Sequence, residues 1–386
     1  MMKELELEAR RPTWAEIDLD ALASNFREVQ RRVGDAVKVM GVVKANAYGH
    51  GAAECARRLA SEGAEWFGVA TPEEGFALRR AGLTERILSF CGFWEGQAEG
   101  CLRQGIVPVV YKLEMAEALD AAARAAGVVA DVHVKVDTGL GRLGVRYHEA
   151  AEFAGSIFDL KNIRVDGLMT HFAAADEPRR DCFTEEQLKR YRDAVAAFQA
   201  RGHRPTYEHM ANSAATFAHP ETRGNMVRPG GVLYGLWRDV LPPLAQKPAL
   251  RPVMSMRSRV TLLKHVRAGE TLGYGCTFEA SREMIVATVP AGYADGYARA
   301  LSNRGRVIVR GRLTSVVGRV SMDLTLVDVT DVPDIEVGDR VTLLGADGEL
   351  TVNAEDIAQT IGTLSYEVTC GVSARVPRVY VPVNNA

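Results

Sequence analysis

One lysine ends an apolar run. Val39, Met40, Val42 and Val43 lead to Lys44, and a polar turn, Ala45-Asn46-Ala47-Tyr48-Gly49-His50-Gly51, follows before a helical pattern starts at Ala52. The run reads as a buried strand that delivers one amine to its C-terminal end, where α/β sheets and barrels build their active sites. A lysine there loses hydration, which disfavours the ammonium, and the neutral amine serves as nucleophile or base. A solvated loop lysine would occupy the same position, so other residues must decide.

Polar residues recur at the ends of later apolar runs. Lys135, Asp137 and Arg142 sit in VKVDTGLGRLG, His171 ends GLMTHFA, Asn212 and Ser213 follow the next run, and Arg228, Gly230 and Gly231 fall in MVRPGGVLYG. Each has a plain reading. His171 suits a core histidine, Ser213 a helix cap, the glycine pair a turn, and Arg142 and Arg228 the surface. Lys135 is harder to set aside, because an ammonium inside an apolar strand needs a partner. Backbone amides and small side chains after the last strands of a barrel suit a phosphate. An activated lysine with a phosphate site points to pyridoxal phosphate.

The elements that position these residues alternate. Leu19, Leu22, Phe26, Val29 and Val33 keep helical spacing between Asp18 and Gly34. After the Lys44 strand come helix 51–60, strand 66–70, and a helix opened by Thr71-Pro72-Glu73-Glu74, a capping hydroxyl, a first-position proline and two acids. Strands are then predicted at 87–91, 106–110, 130–136, 163–170, 205–209 and 225–228, with helices at 96–103, 114–126, 149–158 and 184–201. About eight strands, each followed by a helix or helical turn, is the count of a (β/α)8 TIM barrel. A doubly wound open sheet is the rival, but the Gly-rich phosphate loop it typically carries is missing. Beyond Leu241, Pro242, Pro243 and Pro248 mark a linker, and short alternating runs broken by glycines predict an all-β domain with one helix near 353–361.

Bulk properties exclude several classes. With 386 residues, 47% hydrophobic and 25% charged, the chain is long enough for two globular domains. A formal net charge of -2 gives no footing for nucleic acid or anionic membranes. No apolar run is long enough to span a bilayer, and the charged start lacks a signal core. The 6 cysteines are scattered without a C-x-x-C pair, which argues against a metal knuckle or disulfide frame and fits the cytoplasm.

Taken in order, the stretches RPTWAEIDLDAL (11–22), VVKANAYGHG (42–51), KVDTGLGRLG (135–144), MTHFA (169–173), RPGGVLYG (228–235), GYGCTF (273–278), AGYADGY (291–297), GRVSMD (318–323) and SYEV (365–368) resemble the alanine racemase family, fold-type III enzymes dependent on pyridoxal 5'-phosphate. The resemblance implies a cofactor-binding barrel at 14–243, and a mostly β domain from 244–386 joined by residues 1–13. It implies interconversion of L- and D-alanine by two bases, supplying D-alanine for peptidoglycan, in a homodimer whose subunits share active sites. Lys44 resembles the Schiff-base lysine and one base; Tyr274, from the partner subunit, resembles the other. Arg228 is similar to the arginine facing the pyridine nitrogen, and His171 to the histidine linking it to the tyrosine. Arg142 resembles a contact to the phenolic oxygen and substrate carboxylate, and Met322 a carboxylate contact from the partner chain. Tyr48, Ser213, Gly230 and Tyr366 match phosphate contacts. Lys135 matches a lysine carbamylated in some members. Tyr293, Arg299, Arg319 and Asp176 resemble residues lining the substrate corridor. Ser321 and Gly231 depart from the pattern, where members often have cysteine and a branched residue.

Other readings share parts of this pattern. A broad-specificity or serine racemase would keep the scaffold and differ in pocket shape. A barrel decarboxylase would share the lysine but not need Tyr274. A non-catalytic cofactor-binding protein would typically be a barrel alone, without the long β domain.

Overall fold

The computed structural model describes residues 11–244 and 246–381. It falls into two compact units. One holds Leu22–Ala47 and Gly51–Arg251, and the other the described residues up to Ala21, Tyr48–His50 and Pro252 onward.

In the first unit, strands at Trp66–Val69, Arg86–Ser89, Ile106–Val110, Ala130–Asp137, Ile163–Met169 and Tyr207–His209 pair in parallel, each with the next. The first strand is broken at Met40. Gly41–Val42 pairs with Trp66–Val69, whereas Lys38–Val39 pairs with Met226–Val227. The Asn225 amide donates to the Glu208 carbonyl (3.1 Å) and the Arg228 amide to that of Ala211 (2.9 Å), so the eight strands close into a ring. Strands covered on both faces read as continuous apolar runs, which is why they were legible. Met40, Trp66, Leu88, Val107, Val109, Met169 and Met226 form one cluster from strands around the ring. Fully burying such side chains contributes about 1.5–3 kcal/mol each. Helices Leu19–Val33, Ala52–Ser61, Pro72–Arg80, Leu113–Ala126, Ala150–Phe158 and Asp181–Ala200 alternate with the strands. The helix after Ala70 starts where predicted, but not through Thr71, whose hydroxyl makes no cap bond. The Glu74 carboxylate takes the Ala70 amide instead (2.7 Å).

The second unit is mostly strands. Its main sheet runs Arg312–Ser315, Arg306–Val309, Arg340–Asp347, Met254–Arg259, Thr13–Asp18, Arg378–Val381, with Leu350–Val352 added on Arg340–Asp347. Leu262–Val266, Met284–Val289 and Thr325–Asp328 form a second sheet. Two corrections follow. The boundary at residue 14 is misplaced: Thr13–Asp18 pairs antiparallel with Met254–Arg259 and parallel with Arg378–Val381. Thr13, Ala15 and Ile17 are its buried face, a period of two that marks a half-buried strand. Residues 1–10 lie outside the described residues. A second helix, Ser365–Gly371, follows the predicted Ala354–Ile361. Among the described residues no helix is long and apolar enough to cross a membrane.

Candidate active site

Lys44 leaves its strand into an unusual turn. Ala45, Asn46 and Ala47 have φ/ψ near 51/48, 54/46 and 55/50, and Tyr48 has φ 53. This is one left-handed turn built without glycine, where the Cβ crowds the following carbonyl at about 1–2 kcal/mol per residue. Only asparagine visits this region readily. Such strain persists where surrounding bonds over-determine it. Here the Ala47 amide donates to the Val43 carbonyl (2.8 Å) and the Ala45 amide to Glu74 Oε1 (2.7 Å). Asn46 Oδ1 accepts from the Ala52 amide (2.9 Å), and the buried Tyr234 hydroxyl donates to the Val42 carbonyl (2.8 Å). A polar turn was legible in the sequence; its handedness was not.

Around this lysine the barrel gathers positive charge. Burial first, then Arg228, Lys135, Arg142 and Lys44, hold the His171 pKa well below its usual value, so its imidazole is neutral. Lys135 is 5% exposed. Burial, then Arg142 and Arg228, push its pKa down to about 8, against smaller opposing effects of Cys91 and Asp137. Asp137 does not neutralise the cluster. Its Oδ1 accepts from the Gly139 and Gly141 amides (both 3.0 Å) and its Oδ2 from Arg146 (2.8 Å). Burial works against its charge, but these bonds hold its pKa below the usual value. Asp137 therefore shapes the turn carrying Arg142. Four cations with a neutral imidazole form an anion-seeking cluster.

Arg228 is the most constrained member. Nη1 donates to His209 Nδ1 (3.0 Å) and the His209 carbonyl (2.5 Å); Nη2 donates to the carbonyls of Thr170 (2.7 Å) and Met210 (3.0 Å) and to His171 Nδ1 (3.3 Å). Burial lowers its pKa to about 10, which leaves it a cation at neutral pH. These bonds assign tautomers. A donor on Nδ1 puts the proton of His209 on Nε2, which lies 2.7 Å from His133 Nδ1. Burial keeps His133 neutral, its pKa pushed down to about 3, with Asp166 opposing and Arg86 and Arg228 assisting. The sequence reading missed both histidines. The available signal was spacing: His133 and Lys135, two apart on one apolar strand, share a face.

Beside Arg228, Ser213 opens the helix Ser213–Ala218. Asn212, not Ser213, caps it, accepting from the Ala215 amide (3.0 Å). Ser213 Oγ instead accepts from the Gly230 amide (2.9 Å). Thus Lys44, Lys135, Arg142, His171, Ser213, Arg228 and Gly230 all belong to the barrel unit.

The strand-rich unit carries the remaining residues. The rings of Tyr48 and Tyr366 lie 5.4 Å apart, tilted by 41°. Gly49 lets the backbone after Tyr48 approach the second helix, where a Cβ would meet the Thr369 carbonyl oxygen at 2.1 Å. Arg378 Nε donates to the Gly49 carbonyl (3.0 Å). Tyr274 stands 72% exposed between Gly273 (φ 71) and Gly275 (φ 73). Among the described residues its hydroxyl makes no hydrogen bond. Tyr293 and Met322 lie on braced loops: the Tyr293 amide donates to the Ser321 carbonyl (3.1 Å) and the Ala294 amide to that of Met322 (3.0 Å). Asp295, fully buried, accepts from the Gly292 amide (2.9 Å), Arg11 and Arg375.

These residues fit pyridoxal phosphate. Every described hydrogen bond of the Arg228 guanidinium runs through Nη1 or Nη2, so its Nε–H is left to face an acceptor such as a pyridine nitrogen. The Ser213 hydroxyl and the Cβ-free Gly230-Gly231 backbone suit a phosphate. No group of metal-ligating side chains occurs among the described residues. A parallel barrel with a lysine after its first strand, a cation cluster and a small-residue corner is an arrangement that suits a phosphate-bearing cofactor.

Residues 17–237 match the alanine racemase N-terminal domain and 253–380 the alanine racemase C-terminal domain. The alanine racemase of Symbiobacterium thermophilum is 43% identical over 376 residues, 97% of this chain and 99% of that protein. The crystal structure of alanine racemase from the D-cycloserine producer Streptomyces lavendulae matches with a TM-score of 0.90 at 39% identity, covering 97% of this chain and 98% of that one. That of Bartonella henselae, which contains covalently bound pyridoxal phosphate, matches at 0.86 and 27% identity, covering 96% and 100%. The chain belongs to the alanine racemase family.

Proposed function

We propose that the chain interconverts L- and D-alanine with pyridoxal 5'-phosphate as cofactor. The observation that carries this reading is Lys44 on its strained turn, set among cations whose most buried member, Arg228, keeps one donor unused. When bound, the cofactor withdraws electrons from the α-carbon and makes its proton removable. The protein must then take that proton from one face and return one to the other.

Lys44 serves as the base on one face and holds the cofactor. Tyr274 of the partner subunit serves on the other, in a homodimer; the exposure of Tyr274 supports a role outside its own chain. Arg228 faces the pyridine nitrogen. A cation with a pKa of about 10 does not give up its proton near pH 7, so negative charge at the α-carbon is stabilised only weakly and side reactions are suppressed. The Arg228 Nη2–H on His171 Nδ1 leaves the His171 Nε2–H to donate toward the partner's tyrosine, which favours a phenolate base. Ser213, Gly230, Tyr48 and Tyr366 hold the phosphate. Arg142 and Met322 of the partner subunit hold the substrate carboxylate, and Tyr293 borders its path. Carbamylation would convert Lys135 from a cation to an anion able to hold Arg142. A buried lysine with a pKa near 8 has the neutral-amine fraction that reaction needs. No disulfide joins cysteines among the described residues, which suits the reducing cytoplasm where this reading places the enzyme.

The test is incubation of purified protein with L-alanine and pyridoxal phosphate, followed by chiral chromatography, with L-serine in a parallel arm. D-alanine forming far faster than D-serine is expected. No D-alanine above background would overturn the reading, and comparable D-serine would replace it by a broad-specificity racemase.

A further inference from the structure

We propose that Glu74 is a positioning residue for Lys44, a role that rests on the function just proposed. Glu74 lies in the first turn of the helix Pro72–Arg80, after the second barrel strand. Its two carboxylate oxygens are divided between two strand ends. Oε1 accepts from the Ala45 amide and Oε2 from the Ala70 amide, both at 2.7 Å. Ala45 follows the first strand and Ala70 the second, so one side chain ties the exits of neighbouring strands together.

The Ala45 amide is the nitrogen of the peptide that begins at Lys44. Holding it fixes the rotation of the Lys44 backbone and hence the direction in which its side chain leaves. Sheet pairing cannot do this. The paired ladder ends at Val42, and the Val43 amide then donates to the Gly68 carbonyl (2.9 Å). Ala45 is also the first residue of the left-handed turn, where an alanine relaxes toward negative φ unless its amide is held. A carboxylate suits the task because it accepts from two amides and donates to none. A glutamine presents one acceptor oxygen and a repelling –NH2, so it can satisfy only one strand exit. A helix cap would need the Ala70 contact alone; the Ala45 contact adds nothing to the helix.

The experiment compares wild type with Glu74→Gln and Glu74→Asp, the latter keeping the charge but drawing the oxygens back by one methylene. Apoenzyme is mixed with pyridoxal phosphate, and capture by Lys44 is followed by absorbance and by reductive trapping with borohydride. Binding of pyridoxine 5'-phosphate, which has no aldehyde for a lysine to attack, is measured in parallel, with circular dichroism confirming the fold. In both variants capture should slow by about ten- to a hundredfold, the loss expected for a misplacement of about 1 Å. Pyridoxine phosphate affinity should stay within about twofold, and kcat should fall with little change in the KM for alanine. Capture at the wild-type rate in both variants, or equal weakening of the two ligands, would overturn the assignment. Wild-type protein that captures no pyridoxal phosphate would instead remove the proposed function, and this role with it.

Discussion

Two turns, one in each unit, carry the two residues proposed as bases, and they are built on opposite principles. The Lys44 turn places alanine, asparagine and tyrosine at positive φ and is fastened by Glu74, Asn46 and Val43. The Tyr274 turn lets Gly273 and Gly275 take the positive φ values, apart from Cys276 at φ 49, and leaves its tyrosine exposed. Strain tied down by hydrogen bonds gives one backbone path and a fixed amine. Glycines relieve strain and leave orientation to whatever packs against the turn. A base set by its own barrel, as proposed for Lys44, calls for the first design, and a base completed by a second subunit, as proposed for Tyr274, permits the second.

Removing the amine should have the largest effect. Lys44→Ala should eliminate racemisation and the absorbance of lysine-bound cofactor while leaving the melting temperature near wild type; appreciable residual turnover would break the comparison at its first term. Next, Gly273→Ala should cost about 1–3 kcal/mol of stability. Its φ is 71, and a Cβ there would lie 3.0 Å from the Arg319 backbone nitrogen. Denaturant melts measure the cost, and a neutral result would show that the turn needs no glycine.

The cation cluster predicts a pH effect. The Lys135 pKa is lowered from 10.5 to about 8, so between those values the unfolded chain binds more protons than the folded one. Stability should therefore rise as pH increases through about 8 to 10.5, by at most about 3 kcal/mol if the amine is unmodified. Lys135→Met should flatten that rise. A wild-type protein already flat in this window, and heavier by one carboxylate in its mass spectrum, would identify a carbamate instead. The smallest effect should be Ala47→Gly. Removing the Cβ at φ 55 relieves about 1 kcal/mol, offset by the flexibility glycine adds to the unfolded chain, so the melting temperature should change little.

Much of this was legible before any coordinates. Strands covered on both faces form unbroken apolar runs, so the barrel count and the position of Lys44 at a strand end could be read from the order of residues. Lys135 stood out because an ammonium in such a run is costly. Three things were not legible, for physical reasons. The strand Thr13–Asp18 runs across the boundary expected at residue 14, which was not legible because its partners lie some 240 and 360 residues away in sequence. His209 and His133 looked like ordinary strand residues, since only their contact at 2.7 Å reveals the chain behind Arg228. The left-handed turn was invisible because alanine does not ask for that conformation; tertiary hydrogen bonds impose it.

The central claim is that two different bases serve the two faces of the substrate. It is tested most directly by α-deuterium exchange from each enantiomer of alanine, at initial rate, in Tyr274→Phe. Exchange from L-alanine should fall far more than exchange from D-alanine, because Lys44 remains to work on the D enantiomer. Equal losses in the two directions would contradict the account.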